Sequence, residues 1–134
     1  MINLSALLKA MVDKTASDIH LHVGIPPTLR VNGELFRAQM PAIAVADMTE
    51  MINAVMNEEQ RAAFEKNREF DFAFGLPGVG RFRVNAFHQR GTPALAIRSI
   101  RTKIPAFSEL NLPSVILDIA MKNRGLILVT GTTG

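Results

Sequence analysis

Three groups of residues in this chain have types and spacings suited to chemistry. The first is the tail Gly131-Thr132-Thr133-Gly134, which directly follows the unbroken apolar run Leu126-Ile127-Leu128-Val129. A strand buried on both faces that runs into a glycine-rich turn is how a phosphate-binding loop opens. Glycines let backbone N–H groups turn inward around phosphate oxygens, and a following helix adds its positive end. The later Gly, Lys and Ser/Thr of that pattern do not fall within the chain. The four residues alone therefore leave an ordinary glycine turn open as the alternative.

The second group is cationic. From Phe72 to Ser108 there is no acid, while Arg81, Arg83, Arg90, Arg98, Arg101 and Lys103 all fall there. Alternation along a strand places Arg81, Arg83 and Asn85 on one face and Phe82, Val84 and Ala86 on the other. The apolar set must face a core, so the guanidinium groups project outward together. On the next strand Leu95 and Ile97 alternate with Ala96 and Arg98, and Arg98 can join them. Permanent cations so grouped can neutralise charge developing on a transferred phosphoryl group. Ion pairing with the acidic helices is the plainer reading, since seven acids lie between Asp47 and Asp71.

The third group is Asp18, His20 and His22, at i, i+2 and i+4 on one face of a strand. Two His and an Asp are a legitimate metal-ligand set. No fourth ligand stands at an obvious spacing, so a structural or interface role is expected and no metal is assigned. His88 is expected to be a lone surface or sheet residue. Glu58, Glu59 and Glu65 read as a solvated helix face.

Regular elements must carry these groups. Leu4, Leu7, Leu8 and Met11 recur at helical spacing. Ser17–Val23 alternates as a strand. Thr28–Val31 and Glu34–Phe36 flank Asn32-Gly33, the preferred pair for a tight hairpin turn. Asp47 with Glu50 resembles a capping box, opening a helix whose face is Met48, Met51, Ile52, Val55 and Met56. Those methionines are expected to pack on a sheet. Asn57 with Gln60 starts a second helix, running through Lys66. Glu69–Phe74 is a strand with Phe70, Phe72 and Phe74 on one side, and Gly75–Gly80 a loop. Arg81–Arg90 and Thr92–Arg101 form two further strands around Gly91. Pro113 suits the first turn of a helix that continues through Leu112, Val115, Ile116, Ile119 and Ala120 to Asn123. The expected fold class is α+β, an antiparallel sheet covered by helices.

Composition narrows the classes. Hydrophobic residues make up 48% and charged residues 20%, which marks a globular chain with a core rather than a disordered one. There is no Cys, so disulfide frameworks and thiolate metal sites are excluded, in keeping with a reducing setting. No secretory leader pattern opens the chain, and no apolar stretch approaches a membrane span, so membrane insertion is not expected. With no Trp or Tyr to stack on bases, the basic strand pair is poorly suited to single-stranded nucleic acid, and no nucleic-acid partner is expected.

Several motifs in order carry a more specific likeness. Ala16-Ser17-Asp18-Ile19-His20-Leu21-His22, then Gly24-Ile25-Pro26-Pro27, then Arg30-Val31-Asn32-Gly33, resembles the opening of the type IV pilus retraction ATPases (the PilT/PilU-like family of secretion ATPases). Gly80-Arg81-Phe82-Arg83-Val84-Asn85-Ala86-Phe87 is similar to that family's central strand. Arg124-Gly125 through Gly134 is similar to its approach to the Walker A loop. The resemblance implies a PAS-like N-terminal domain over residues 1–104, a connector and helix over 105–123, and the start of a RecA-like ATPase domain over 124–134, cut within the Walker A loop. The strand within 124–134 would be the first of that ATPase domain.

The resemblance further implies a cytoplasmic homohexameric motor at the pilus base that binds ATP and Mg²⁺. An inner-membrane platform protein and a paralogous retraction ATPase are its implied partners. The family's Walker A Lys, Walker B acids and catalytic Glu would lie beyond Gly134. This stretch alone is therefore expected neither to hydrolyse ATP nor to hold nucleotide tightly. Gly131, Thr132, Thr133 and Gly134 would touch the cofactor, and Arg81, Arg83 and Arg98 are the candidate arginine fingers. The alternatives are a pilus assembly or type II/IV secretion ATPase, or a stand-alone PAS-like binding module.

Overall fold

The computed structural model describes residues 2–100 and 104–131, which divide into two compact units, Met1–Thr102 and Lys103–Gly134. In the first unit, helix α1 (Leu4–Asp13) buries Leu4, Leu7, Leu8 and Met11, the stripe its spacing predicts. Asn3 caps it by accepting a hydrogen bond from the Ala6 N–H at 3.0 Å. Strand β1 (Asp18–His22) follows, then β2 (Thr28–Val31) and β3 (Glu34–Arg37). Asn32 and Gly33 both take positive φ, 51° and 86°, as the tight hairpin turn requires.

Helix α2 (Val45–Val55) departs from expectation at its start. Asp47 is not the N-cap residue; it sits in the first turn. Its carboxylate accepts the Ala44 N–H at 3.1 Å and the Ile2 N–H, also at 3.1 Å. A carboxylate inside the first turn reaches back to orphan donors as well as a capping side chain does, and here it also ties down the start of the chain. Those N–H groups, Ala44 first and then Ile2, hold the Asp47 carboxyl below its ordinary range. Helix α3 (Glu58–Asn67) has the expected reciprocal box. The Gln60 N–H donates to Asn57 Oδ1 at 2.8 Å and the Asn57 N–H to Gln60 Oε1 at 3.0 Å.

Strands β4 (Glu69–Leu76), β5 (Gly80–Gln89) and β6 (Thr92–Ile100) complete a six-stranded antiparallel sheet in the order β3-β2-β1-β6-β5-β4. The loop expected over Gly75–Gly80 is shorter, because Gly75 pairs with Arg81 and Leu76 with Gly80, leaving only residues 77–79 to turn. Arg101, expected at the end of the last strand, lies outside the described residues. The three helices pack on one sheet face. Ile19, Leu21, Phe82, Val84, Leu95 and Ile97 meet Leu8, Met11, Met48, Met51 and Phe64 in a single core. The Met-rich face of α2 is therefore core packing. No polar or charged residue is buried among the described residues.

The second unit holds a 3₁₀ turn (Phe107–Glu109) and helix α4 (Val115–Ala120). This helix is shorter than the Pro113–Asn123 span expected. Pro113 lies before it, its carbonyl accepting the Ile116 N–H at 3.1 Å. The strand expected over Leu126–Thr130 is not formed. No described strand of its own unit lies beside it, and a strand exists only by pairing. Leu126 and Val129 are 84% and 94% exposed there, although their apolar run suits burial on both faces.

Candidate functional site

The sheet face opposite the helices carries the polar side chains, and register decides which of them meet. Asp18 stands between Arg30 and Arg98, and Arg98 between Asp18 and Arg83. The next row runs Thr28, His20, Ala96, Asn85 and Asp71. A third places Ala94 between His22 and Phe87, whose rings meet edge to face at 5.9 Å. Arg81 is one step outside the first row, opposite Ile100, and is also exposed.

The expected alternation on β5 is observed: Phe82, Val84 and Ala86 are buried while Arg81 and Arg83 are exposed. The pairing of Arg83 with Arg98 brings two permanent cations side by side, a placement that costs energy unless anions answer it. Two carboxylates partly do. Arg98 Nε donates to Asp18 Oδ1 at 2.8 Å, and Arg83 Nε lies 3.8 Å from Asp71 Oδ1. Arg30 Nε is 3.6 Å from the second Asp18 oxygen, which also accepts the Ser17 hydroxyl at 2.8 Å. These acids come from β1 and β4, not from the acidic helices. Among the described residues Arg81 has no ion pair.

The two sides of these pairs differ. The Asp18 side chain is only 13% exposed, while those of Arg83 and Arg98 are 68% and 72% exposed. The carboxylate is fixed and the guanidinium groups reach into solvent. Burial works against the Asp18 charge, but the hydrogen bonds from Arg98 and Ser17 outweigh it and hold the carboxyl below the usual carboxylate range. Between the rows lies a shallow depression of about 330 Å³, lined by Asp18, His20, Asp71, Arg83, Asn85, Ala96 and Arg98. Ala96 is its floor because it is the small residue in the middle row. Asn85 Nδ2 donates to Glu69 Oε1 at 3.0 Å. The His20 ring lines the depression, yet its Nε2 is cut off from solvent and has no hydrogen-bond partner among the described residues. Burial pushes the His20 imidazole below its ordinary pKa; Asp18 opposes this, and Arg30, His22 and Arg98 reinforce it.

Sequence reasoning placed Arg83 and Arg98 on one face, and both line this depression; Arg81 does not. Asn85 was placed with them as well, but Asp71 was missed as the partner of Arg83 and Asp18 as the partner of Arg98. Strand order alone joins β1 to β6, eighty residues apart in the Asp18–Arg98 bond. Asp18 is held by two arginines, and His22 packs edge to face on Phe87. His88, which the spacing left as a lone residue, stacks on Phe64 at 4.6 Å with its Nδ1 3.3 Å from the Arg68 carbonyl. Of the glycine-threonine tail, Gly131 is described and exposed, while Thr132, Thr133 and Gly134 lie outside the described residues.

No protein-family model matches the chain. The solved structure of the pilus retraction motor PilT with bound ADP superposes over the whole chain and 39% of that structure's own chain, with a TM-score of 0.80 and 41% identity. The helix-backed antiparallel sheet of this chain is thus a fold shared with part of the pilus retraction motor PilT. Along its sequence the chain is 40% identical to the type IV pilus ATPase PilU of Pseudomonas aeruginosa over 128 residues, 96% of this chain. It is 39% identical to the retraction ATPase PilT of the same organism over 133 residues, 99% of this chain. The chain is a homologue of the N-terminal portion of the PilT/PilU type IV pilus retraction ATPases. It spans 34% and 39% of the lengths of these two curated relatives. Among the described residues, no helix is long and apolar enough to cross a membrane.

Proposed function

We propose that this chain acts as the N-terminal part of an ATPase that retracts type IV pili, its open sheet face supplying arginines to the phosphates of ATP. The observation that carries the reading is the side-by-side pair Arg83 and Arg98, exposed on a fold whose solved counterpart was captured with ADP. Two guanidinium groups held by a rigid sheet are pre-organised donors for a phosphate, and Arg presents its donors in a planar fork that suits one. Arg81, one step along the same strand, is the third candidate.

In this reading residues 1–104 form the N-terminal domain, 105–123 the connector, and 124–134 the entry to the nucleotide-binding domain. Gly131, Thr132, Thr133 and Gly134 open its phosphate loop, and the exposed run Leu126–Val129 becomes a strand of that domain's sheet. The working protein is a cytoplasmic homohexamer at the pilus base, using ATP with Mg²⁺ and acting on the inner-membrane platform, in some cells beside a paralogous retraction ATPase. ATP draws the arginines toward its phosphates, hydrolysis releases them, and the domain rotates as a rigid body. Arg83→Ala and Arg98→Ala in the full-length protein should each lower ATP turnover at least tenfold, by order of magnitude (roughly) for lost phosphate-contacting arginines, and slow pilus retraction with it. Unchanged turnover and retraction in both variants would make the reading wrong.

A further inference from the structure

The depression between the arginine row and the middle row contains a feature that the arginine reading leaves unused. His20 lies in it, paired across the strands with Ala96, which is paired in turn with Asn85. Its Nε2 is buried without a hydrogen-bond partner among the described residues, an arrangement that costs stability. Directly opposite residues on neighbouring antiparallel strands hold their Cβ atoms about 5 Å apart, so an anion seated over Ala96 lies beside both the His20 ring, where it would favour a proton, and the Asn85 amide, a hydrogen-bond donor.

We infer that the open sheet face holds one tetrahedral oxyanion over Ala96, between Arg83 and Arg98 and beside Asn85, and that binding it loads a proton onto His20. The inference rests on the reading that these arginines meet phosphate, and adds to it a proton-coupled third group. In the free protein His20 faces Asp18 on its own strand, Arg30 on β2, Arg98 on β6 and His22 two residues along. Three of these four neighbours oppose a positive imidazole, and burial opposes it further, so His20 is neutral at neutral pH. An oxyanion over Ala96 brings negative charge next to His20, closer than Asp71, the carboxylate at the far end of the same row, which also lines the depression. It also draws the exposed Arg98 head away from the fixed Asp18 carboxylate, which leaves Asp18 free to favour the imidazolium. Both changes raise the affinity of His20 for a proton, and by linkage the anion binds more tightly where His20 is protonated.

Sulfate is the suitable probe, because it does not itself titrate across the range where His20 does. Asp18, held below the usual carboxylate range, does not titrate there either. Calorimetry of this chain with sulfate should give an affinity about tenfold higher near pH 5 than near pH 8, the size of a one-step change in His20 proton affinity. His20→Gln should flatten that profile and His22→Gln should leave it. Arg83→Ala with Arg98→Ala should abolish binding at every pH. In the unmutated chain the NMR titration of the His20 ring should move to higher pH when sulfate is added, a readout that does not depend on any variant folding. Sulfate binding that needs the arginines, with a pH profile His20→Gln does not alter and a His20 titration that sulfate does not move, overturns the inference while sparing the arginine reading. No sulfate binding at any pH overturns both.

Discussion

Asp18 and His20 are neighbours on one strand face, yet their surroundings push their protonation in opposite senses of charge. Hydrogen bonds from Arg98 and Ser17 overcome burial and keep Asp18 ionised, while burial among cations keeps His20 neutral. A histidine whose folded pKa lies below its unfolded value of about 6.5 contributes stability that is complete above that pH and is lost as pH falls toward the folded pKa. The melting temperature of this chain should therefore fall between about pH 7 and pH 5, and less steeply in His20→Gln; parallel slopes in thermal melts would reject the assignment. Asn57 makes a separate prediction. Its side chain satisfies a first-turn N–H of α3, so Asn57→Ala should cost about 1 kcal/mol in denaturant unfolding, with little change in anion binding. The cap at Asn57 was legible because Asn followed three residues later by Gln has one common use. Asp47 was misread as a cap because a carboxylate placed one turn in serves the same donors, and sequence spacing does not separate the two arrangements.

At the scale of elements, alternation and turn chemistry made most of the sheet readable. Phe82, Val84 and Ala86 could face only a core, and Asn32-Gly33 could make only a tight turn. Phe82 is fully buried beside Phe74, so Phe82→Ala should destabilise the domain by roughly 3–5 kcal/mol, measured by denaturant unfolding. Gly33 tests the turn without a packing term. A Cβ there would meet nothing within 4 Å, so Gly33→Ala should cost about 1 kcal/mol through its positive φ alone. What periodicity did not reveal is the order of the strands. Each strand shows which residues share its face, but not that β1 lies between β2 and β6. That order alone sets Asp18 against Arg98, and Arg98 against Arg83. The last apolar run shows the opposite limit. Leu126–Val129 has the composition of a buried strand, but composition supplies no partner, and unpaired it remains exposed.

For the whole molecule, the division of labour between the two sheet faces is the organising fact. One face is sealed by three helices over an apolar core, and the other presents arginines whose charge is only partly answered by Asp18 and Asp71. The chain is homologous to the N-terminal portion of pilus retraction ATPases, and the proposed function has that open face meet the phosphates of ATP. The proposed function turns on where ATP would lie against this face. A structure of a full-length protein carrying this chain, with a non-hydrolysable ATP analogue, measures this directly. The prediction is that a phosphate oxygen lies within about 3 Å of an Arg83 or Arg98 guanidinium nitrogen, the length of a charge-assisted hydrogen bond. A nucleotide with all its phosphates more than about 10 Å from both side chains, beyond one screening length, would contradict it.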